Sequence, residues 1–355
     1  MQEGVIFLNT KKEIVLSNKA AINILQKAIN KNMAIRDIIG DLDLNSKINS
    51  ALNNFEKSEI DLCIFKNHTG QMAILFAKGK EKYVHITITP MERDNRCEGI
   101  LLTITDVSEL RRLETIRKDF VSNVSHELKT PLTSIGGFAE ILLSNKLNEE
   151  QEREFYQDIY SNYKNMKAII EDLLLLSSLE KDNSKPVMEQ TQIAPLIDSV
   201  IKVAKPFAQK KNIEIKKDYI KKLEIFCNEG LLKQALLNLV INAINYSGND
   251  SIVEISVSEK KYEVIIKVKD FGIGIPQEDI DRIFERFYRV DKNRSRDSGG
   301  TGLGLSIVKH IALLHSGSIE VKSEENKGST FILTLSKTHN VLTSLYKKSD
   351  SMYKI

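Results

Sequence analysis

Residues 299–305 read Gly-Gly-Thr-Gly-Leu-Gly-Leu, and they open a segment, Ser306 to His315, that is predicted to be helical. Glycines at the start of a helix expose unpaired backbone N–H groups, and the positive end of the helix dipole adds to their attraction for an anion. A flexible hinge is the alternative, but four glycines within six residues favour a phosphate site. The stretch therefore predicts a helix whose first turn binds phosphate.

A second glycine-containing segment lies upstream of the first. Residues 270–275 read Asp-Phe-Gly-Ile-Gly-Ile and follow a predicted strand at 263–269. The Asp270 carboxylate stands beside two glycines, Gly272 and Gly274, whose backbone a ligand can approach closely. Alone the pattern is weak, because a strand followed by a turn looks the same. Asp-Phe-Gly also occurs in eukaryotic protein kinases, but their catalytic-loop and lysine motifs are absent from this sequence, which excludes that class.

Three asparagines share the polar side of the helix predicted at 229–246: Asn238, Asn242 and Asn245. Their amide oxygens are hard ligands that suit Mg²⁺, which usually keeps several waters and bridges phosphates. For any one asparagine, a solvated polar face is the simpler interpretation. The set indicates a metal-assisted phosphate site.

An aromatic turn, residues 284–289, reads Phe-Glu-Arg-Phe-Tyr-Arg. Its aromatic side chains can anchor a lid, and Arg286 or Arg289 can bind phosphate. The loop that follows, residues 291–298, is polar and has the composition of a mobile lid.

Taken in order, the asparagine helix, the Asp-x-Gly-x-Gly segment, the aromatic turn and the Gly-Thr-Gly-Leu-Gly-Leu run resemble the N, G1, F and G2 boxes of the GHKL ATPase superfamily. That superfamily includes gyrase, MutL-type repair ATPases, heat-shock chaperones and histidine kinases. The resemblance implies a Bergerat-type α/β sandwich that binds ATP with Mg²⁺. It further implies that Asp270 accepts a hydrogen bond from the adenine amino group, Asn238 holds Mg²⁺, Asn242 lies near the phosphates and Tyr246 near the adenine. The implied nucleotide site also includes Gly272, Gly274, Arg286, Arg289, Gly300, Thr301, Gly302, Leu303 and Gly304.

Residues 120–131, Phe-Val-Ser-Asn-Val-Ser-His-Glu-Leu-Lys-Thr-Pro, lie within the first long predicted helix. A lone histidine on a helix is usually structural, but His126 has an acidic neighbour, Glu127, that can polarise its imidazole. Thr130 lies one turn further on the same face. Pro131 has no N–H to donate to the preceding turn, so we expect it to bend the helix. A neutral imidazole is a competent nucleophile at cell pH.

This segment resembles the H box of the histidine kinases residue for residue, and the chain is similar to PhoR- or WalK-class sensor kinases over about residues 106–337. The resemblance implies that His126 is autophosphorylated from ATP and that Glu127 is the general base. It implies that Thr130 orients a water when the enzyme dephosphorylates its partner. That partner is a separate response regulator, whose receiver domain accepts the phosphoryl group on an aspartate.

Residues 107–182 are predicted to form two long amphipathic helices joined by a short turn, because apolar residues recur every three or four positions on either side of Asn148. The apolar stripe is wider than one hairpin can bury, so we expect a homodimer with a four-helix bundle. Residues 187–337 mix helices and strands and are predicted to be the catalytic ATP-binding domain, followed by a C-terminal tail at 338–355.

The first 106 residues predict a small mixed α/β domain with several antiparallel strands. The segment Val84–Thr89 alternates apolar and polar residues as a half-buried strand does. In pattern the domain is similar to PAS sensor domains, and Asp106-Val107-Ser108 resembles their closing turn. The predicted fold class is therefore multidomain α+β: a PAS-like sensor, a helical hairpin and an ATP-binding sandwich.

Composition excludes several other classes of protein. The formal net charge of +3 creates no bulk field that would attract nucleic acid. The three cysteines are far apart, which argues against a disulfide framework or a zinc site. No apolar stretch approaches the roughly 20 residues of a membrane helix. We expect a cytoplasmic protein or the cytoplasmic portion of a membrane-anchored kinase, with membrane contact only through upstream segments.

Two positions depart from the family pattern. Asn228 stands where many relatives have Asp, and Asn245 stands where many have Lys. The second departure removes one possible phosphate contact, so we expect a lower affinity for ATP. Two alternatives remain at this point. One is a GHKL ATPase that uses hydrolysis to work a clamp, although it would have no use for the segment around His126. The other is a degenerate kinase that only scaffolds or dephosphorylates its partner.

Overall fold

The structure, a computed structural model of the chain, describes residues 3–66, 72–73, 82–94, 96–144, 147–180, 186–219, 222–290 and 301–337. The chain divides into two compact units, residues 1–121 and 122–355. The predicted lid at 291–298, Gly300 and the C-terminal tail lie outside the described residues. No helix of the described ranges is long and apolar enough to cross a membrane.

The first unit contains one antiparallel sheet with three short helices. The strands are β1 (Gly4–Leu8), β2 (Ile14–Ser17), β3 (Ser58–Lys66), β4 (Met72–Ala73), β5 (Lys82–Arg93) and β6 (Arg96–Asp106). The helices α1 (Lys19–Leu25), α2 (Ile35–Ile38) and α3 (Leu42–Asn54) lie between β2 and β3 in the chain. The sheet order is β2-β1-β6-β5-β3-β4.

One face of this sheet is buried and the other is not. Along β5 the buried residues alternate, as the sequence predicted, and they are Val84, Ile86 and Ile88. They join the inward side chains of β6 and the buried faces of α1 and α3 in a core made almost wholly of isoleucine and leucine. Side chains cap both helices: Asn18 accepts from the first turn of α1, and Asp41 does so at α3.

Two long helices follow, as the periodicity predicted. Helix α4 (Ser108–Ser144) begins in the first unit and runs through Pro131 without interruption. Helix α5 (Glu149–Leu179) starts with a capping box in which Asn148 and Gln151 satisfy each other's backbone N–H groups. Few of their side chains are buried: Pro131 in α4, and Ile169 and Leu176 in α5.

The rest of the second unit is a layer of helices on a sheet. Its elements are β7 (Glu189–Gln192), α6 (Ile193–Lys210), β8 (Glu214–Asp218), β9 (Glu224–Cys227), α7 (Glu229–Tyr246), β10 (Ile252–Glu259), β11 (Glu263–Asp270), α8 (Gly304–Leu314), β12 (Ser318–Glu324) and β13 (Gly328–Ser336). The main sheet has the order β12-β13-β11-β10-β8, with β10 and β8 parallel and the other pairs antiparallel. Helices α6, α7 and α8 share one apolar core with its inner face. This is the α/β sandwich that the sequence predicted.

The pair β7–β9 was not predicted from the sequence. Residues 189–192 are polar and mostly exposed, so they carry no alternating pattern. The partner, β9, contributes only two buried side chains, Ile225 and Cys227. The predicted strand at 72–77 is described only at Met72–Ala73.

Candidate functional site

A cavity of about 350 Å³ lies within the second unit, beside the C-terminal end of α7. Its walls come from that helix end, from the turn after β11 and from the segment 283–290. Five of the predicted site residues line it: Asn242, Tyr246, Asp270, Gly274 and Arg289.

Asp270 is the last residue of β11, and its side chain is 4% exposed. Its Oδ1 accepts hydrogen bonds from the backbone N–H groups of Gly272 at 2.9 Å and Ser329 at 3.2 Å. Burial nevertheless raises the pKa of the Asp270 carboxyl, and the two backbone donors only partly oppose that effect. A buried acceptor of this kind gains from one more donor, such as an amino group of a ligand.

The two glycines after Asp270 are required by close backbone approach. A Cβ on Gly272 would lie 2.2 Å from the carbonyl oxygen of Tyr246, and one on Gly274 would lie 2.1 Å from that of Glu324. Gly274 also has φ +70°, which other residues rarely adopt. The turn is therefore pressed directly against α7 on one side and the end of β12 on the other.

Helix α7 begins with Asn228 and presents its asparagines toward the neighbouring elements. Asn228 is the N-cap, with Oδ1 accepting from the N–H of Leu231 at 3.0 Å. Asn228, one of the two residues that depart from the family pattern, therefore has a structural role as a helix cap. Asn238 donates through Nδ2 to the carbonyl oxygen of Gly304 at 3.3 Å, so its Oδ1 is the atom that could ligate a cation. Asn242 and Asn245 line the cavity.

The glycine run is placed at the start of α8, as predicted. Gly302 has φ +71°, and a Cβ there would lie 2.8 Å from the Cα of Phe287. Leu303 is fully buried in the core, so only its backbone could face a ligand. Thr301 donates its hydroxyl to Asp172 of α5 at 2.8 Å and accepts from the N–H of Leu303 at 3.2 Å.

The two arginines of the aromatic turn have different surroundings. Arg289 lines the cavity, and its Nη2 is buried with no hydrogen-bond partner among the described residues. Arg286 donates through Nη2 to Glu180, at the end of α5. A buried donor without a partner is costly, so Arg289 is the arginine that would gain from an anion in the cavity.

His126 lies near the middle of α4 and is exposed. Glu127 is partly buried, and Thr130 donates its hydroxyl to the carbonyl oxygen of His126 at 3.1 Å. One turn further, Ser134 makes the same type of bond to Thr130. The imidazole is therefore accessible to another domain or another protein.

Two residues near the nucleotide region escaped the sequence analysis. Lys211 lines the cavity but follows Lys210, and such a pair at a helix end looks like a solvated surface. His315 is buried, accepts from the N–H of Asn228 at 3.0 Å through Nε2, and lies 2.7 Å from the carbonyl oxygen of Ile311 through Nδ1. No local pattern indicated either contact, because the partners are distant in sequence or belong to the backbone.

Two family models match the chain. The model described as "Histidine kinase-, DNA gyrase B-, and HSP90-like ATPase" matches residues 227–339, and the "His Kinase A (phospho-acceptor) domain" matches residues 116–182. The first range contains every residue that lines the cavity except Lys211, and the second contains His126.

Curated relatives match over most of the chain. The sensor-like histidine kinase SenX3 of Mycolicibacterium smegmatis is 34% identical over 94% of this chain and 82% of its own length. The sensor protein SrrB of Staphylococcus aureus is 30% identical over 95% of this chain, which spans 54% of that relative. Among solved structures, the histidine kinase ThkA in complex with the response regulator TrrA has a TM-score of 0.52 at 24% identity, covering 94% of this chain and 96% of that one. That structural likeness concerns the fold alone.

Proposed function

This chain belongs to the two-component sensor histidine kinases, ATP-dependent enzymes that phosphorylate one of their own histidines and pass the phosphoryl group to a response regulator, and we propose that its phosphorylated residue is His126. The observation that carries the proposal is an exposed His126 on a helix within the matched phosphoacceptor range. The cavity at Asp270, within the matched ATPase range, is proposed as the ATP site.

Adenine recognition is assigned to the floor of the cavity. Asp270 already accepts two backbone N–H groups on Oδ1, and the adenine amino group supplies the further donor that its buried carboxylate lacks. Guanine carries a carbonyl at the corresponding position and would face the carboxylate with an acceptor. Tyr246, at the end of α7, lines the same space and is assigned to the adenine side.

The phosphates are assigned to the opposite side of the site. Arg289 brings to the cavity a buried N–H group that has no partner in the part of the chain that the structure describes, and Asn242 lines the cavity as well. Thr301, Gly302, Leu303 and Gly304 lead into α8 and are assigned to the phosphates, because backbone N–H groups at the start of a helix bind phosphate. The N–H of Leu303 would first have to leave the hydroxyl of Thr301. Gly300 is assigned to the same loop, outside the described residues.

The donor set fits Mg²⁺. The side-chain nitrogen of Asn238 donates to the carbonyl oxygen of Gly304, which leaves its amide oxygen to ligate a cation. Magnesium prefers oxygen ligands of this kind. Bound there, Mg²⁺ would neutralise phosphate charge during transfer. Arg286, held by Glu180, is assigned to the phosphates only after it leaves that partner.

The reaction itself needs positioning more than covalent chemistry from the protein. An imidazole nitrogen of His126 attacks the γ-phosphorus, a nitrogen–phosphorus bond forms, and the bond to the β-phosphate oxygen breaks with ADP as the leaving group. Glu127 is adjacent and is assigned as the base that takes the imidazole proton. The phosphoryl group then passes to a receiver-domain aspartate of the response regulator.

Three further parts of the proposal concern the other regions. The first unit is proposed to be a PAS-like sensor, supported by its antiparallel sheet with helices between the second and third strands. The chain is proposed to act as a homodimer through α4 and α5. Thr130 is proposed to hold the water that dephosphorylates the regulator, since its hydroxyl stands one turn from His126.

Labelling with γ-³²P ATP tests the assignment of His126. The wild-type chain should retain label that is lost in acid and stable in base, as a phosphohistidine is, and His126→Gln should retain none while binding ADP as the wild type does. A clamp-type ATPase would release phosphate without labelling itself. Label on the His126→Gln chain would contradict the proposal.

A further inference from the structure

Lys211 follows the last turn of α6, and its ammonium group is directed at the end of a different helix. Nζ donates to the carbonyl oxygens of Ile244 at 3.1 Å, Asn245 at 2.7 Å and Ser247 at 3.1 Å. An ammonium group has three N–H donors, so these three bonds use all of them. The carbonyls belong to the last turn of α7, where helical backbone acceptors have no partners within the helix.

The location is electrostatically favourable for the ammonium group. The C-terminal end of a helix carries partial negative charge, and a cation there is stabilised. Burial opposes this and lowers the pKa of Lys211, because the charged form loses water. The partial negative charge at the end of α7 therefore stabilises the charged ammonium group and partly offsets its loss of solvation.

The helix end that Lys211 holds is a wall of the nucleotide cavity. Residues 245–248, together with Lys211 itself, line it. The turn after β11 fixes the backbone of the same helix end from the other side. The N–H of Ile273 donates to the carbonyl oxygen of Tyr246 at 3.3 Å, and Gly272 packs directly against the same carbonyl. One support thus comes from the Asp270 turn and the other from Lys211.

The backbone of Lys211 also bonds to the turn that follows α7. Its carbonyl oxygen accepts from the N–H of Asp250 at 2.9 Å, so the residue bonds to both ends of the turn that follows α7. Next to it, Asn212 donates to the carboxylate of Asp250 at 2.6 Å. The segment from Ile244 to Asp250 is therefore tied to the end of α6 at several points.

Resting on the proposed ATP site, we propose that Lys211 is a positioning residue for the nucleotide. Its ammonium group fixes the carbonyls at the end of α7, and this keeps residues 245–248 in the shape that the adenine side of the cavity requires. Lys211 acts through the backbone and does not bind phosphate, because a phosphate would have to displace three carbonyl acceptors.

This role predicts a particular pattern of losses. A residue that shapes the adenine side affects ATP and ADP equally, whereas a phosphate ligand affects ATP more. It also weakens ground-state and transition-state binding together, so KM for ATP rises while kcat is kept.

The test uses the full chain with Lys211→Met, which keeps the length of the side chain and removes its charge and donors. Lys210→Met, the exposed neighbour, is the matched control. We expect the Kd values for ATP and ADP and the KM for ATP each to rise about tenfold in Lys211→Met, with kcat changed by less than about twofold. Lys210→Met should match the wild type in all four.

The other outcomes are informative in separate ways. A lower melting temperature with unchanged nucleotide affinity would mean a purely structural cap and would overturn the inference, and so would a loss confined to ATP. If Lys211→Met does not fold, Lys211→Gln, which keeps two N–H donors, decides the question: its Kd for ADP should rise severalfold, and an unchanged Kd would overturn the inference. Failure of the wild-type chain to bind ATP would instead refute the proposed ATP site.

Discussion

The helical hairpin and the ATP-binding sandwich belong to the same chain but bury their side chains very differently. In α6 seven residues are buried, and they face one side of an amphipathic helix. Helix α4 is about twice as long and buries only Pro131. Large apolar side chains remain exposed along both hairpin helices: Leu110, Leu113, Val121, Leu132, Leu143, Tyr156, Tyr160, Tyr163, Ile170 and Leu174.

The difference indicates what each region needs in order to be stable. Large exposed apolar side chains in such number are typical of an interface, so we expect the hairpin to pack against a second copy of itself or another partner. The sandwich core is built mainly by its own helices and sheet, with Leu176 of α5 as one further member, and its few buried polar residues lie at the proposed nucleotide site or at helix ends.

The same substitution in the two regions should have different consequences. Leu196 in α6 is 1% exposed, and Leu174 in α5 is 67% exposed. Leu196→Asp buries a charge and should lower the free energy of unfolding of the sandwich by more than about 4 kcal/mol. Leu174→Asp should leave that unfolding transition unchanged and weaken dimerisation about 100-fold, because two charges then enter the shared core. Urea denaturation and sedimentation equilibrium measure the two effects.

A dimer that survives Leu174→Asp would show that this face is not the interface. A wild-type chain that sediments as a monomer at micromolar concentration would remove the four-helix bundle from the proposal altogether.

Asp270→Asn tests the buried polar groups of the sandwich. An amide that accepts the N–H groups of Gly272 and Ser329 must turn its own donor toward the adenine amino group, so ATP binding should weaken by about 1–3 kcal/mol. Because burial raises the pKa of the Asp270 carboxyl, its ionised form is costly in the empty site, and the nucleotide-free variant should melt no lower than the wild type. Calorimetric titration with ATP and thermal unfolding without nucleotide give the two values. Unchanged ATP affinity would mean that Asp270 only ends a strand.

The elements that sequence reasoning predicted well are those with strong periodicity or glycine motifs. Helix α7 has the predicted bounds, strand β11 extends one residue beyond the predicted 263–269, and α8 starts within the glycine run. Close packing explains the glycines better than the sequence could: Gly272 is needed because the carbonyl of Tyr246 occupies the space of a side chain.

The features that were missed depend on contacts between distant segments. Glu180 is the partner of Arg286, and Asp172 is the partner of Thr301. Neither pair could be inferred from spacing, since each joins α5 to a loop more than a hundred positions away. Lys211 was missed for a different reason: its partners are backbone carbonyls, which have no signature in a sequence.

Thr130→Ala tests the exposed chemistry of the hairpin. The hydroxyl of Thr130 bonds to the backbone and makes no contact that transfer to His126 needs, so autophosphorylation should change less than about twofold. Dephosphorylation of the phosphorylated regulator should fall about tenfold, because the group that holds the water is lost. Ser134→Ala is the matched control, since Ser134 makes the same hydroxyl-to-carbonyl bond one turn away. Equal loss of both activities in Thr130→Ala would indicate a packing role.

His315 provides the smallest effect and the one most specific to the sandwich. The carbonyl of Ile311 requires an N–H on Nδ1, and the N–H of Asn228 requires a lone pair on Nε2, so only the neutral imidazole satisfies both. Protonation of Nε2 would place its new N–H group against the backbone N–H of Asn228, where α7 and α8 meet. Burial separately lowers the pKa of His315 below its ordinary value, because the charged imidazole loses its solvation by water.

The sign of the pH dependence follows from this lowered pKa. Above pH 6.5 the histidine is neutral in both the folded and the unfolded chain, and its contribution to stability is complete. As the pH falls below 6.5 the unfolded chain binds a proton that the folded chain does not, so the free energy of unfolding decreases by up to about 1.4 kcal/mol per pH unit until the folded pKa is reached. Urea unfolding between pH 7.5 and 5.5 should show this decrease in the wild type. His315→Gln should have a lower free energy of unfolding than the wild type at pH 7.5. The difference in free energy of unfolding between the two proteins should shrink as the pH falls, because the variant lacks the titrating imidazole. All other acidic and basic groups titrate equally in both proteins. A difference that stays constant across that range would show that the bond from Asn228 does not depend on a neutral His315.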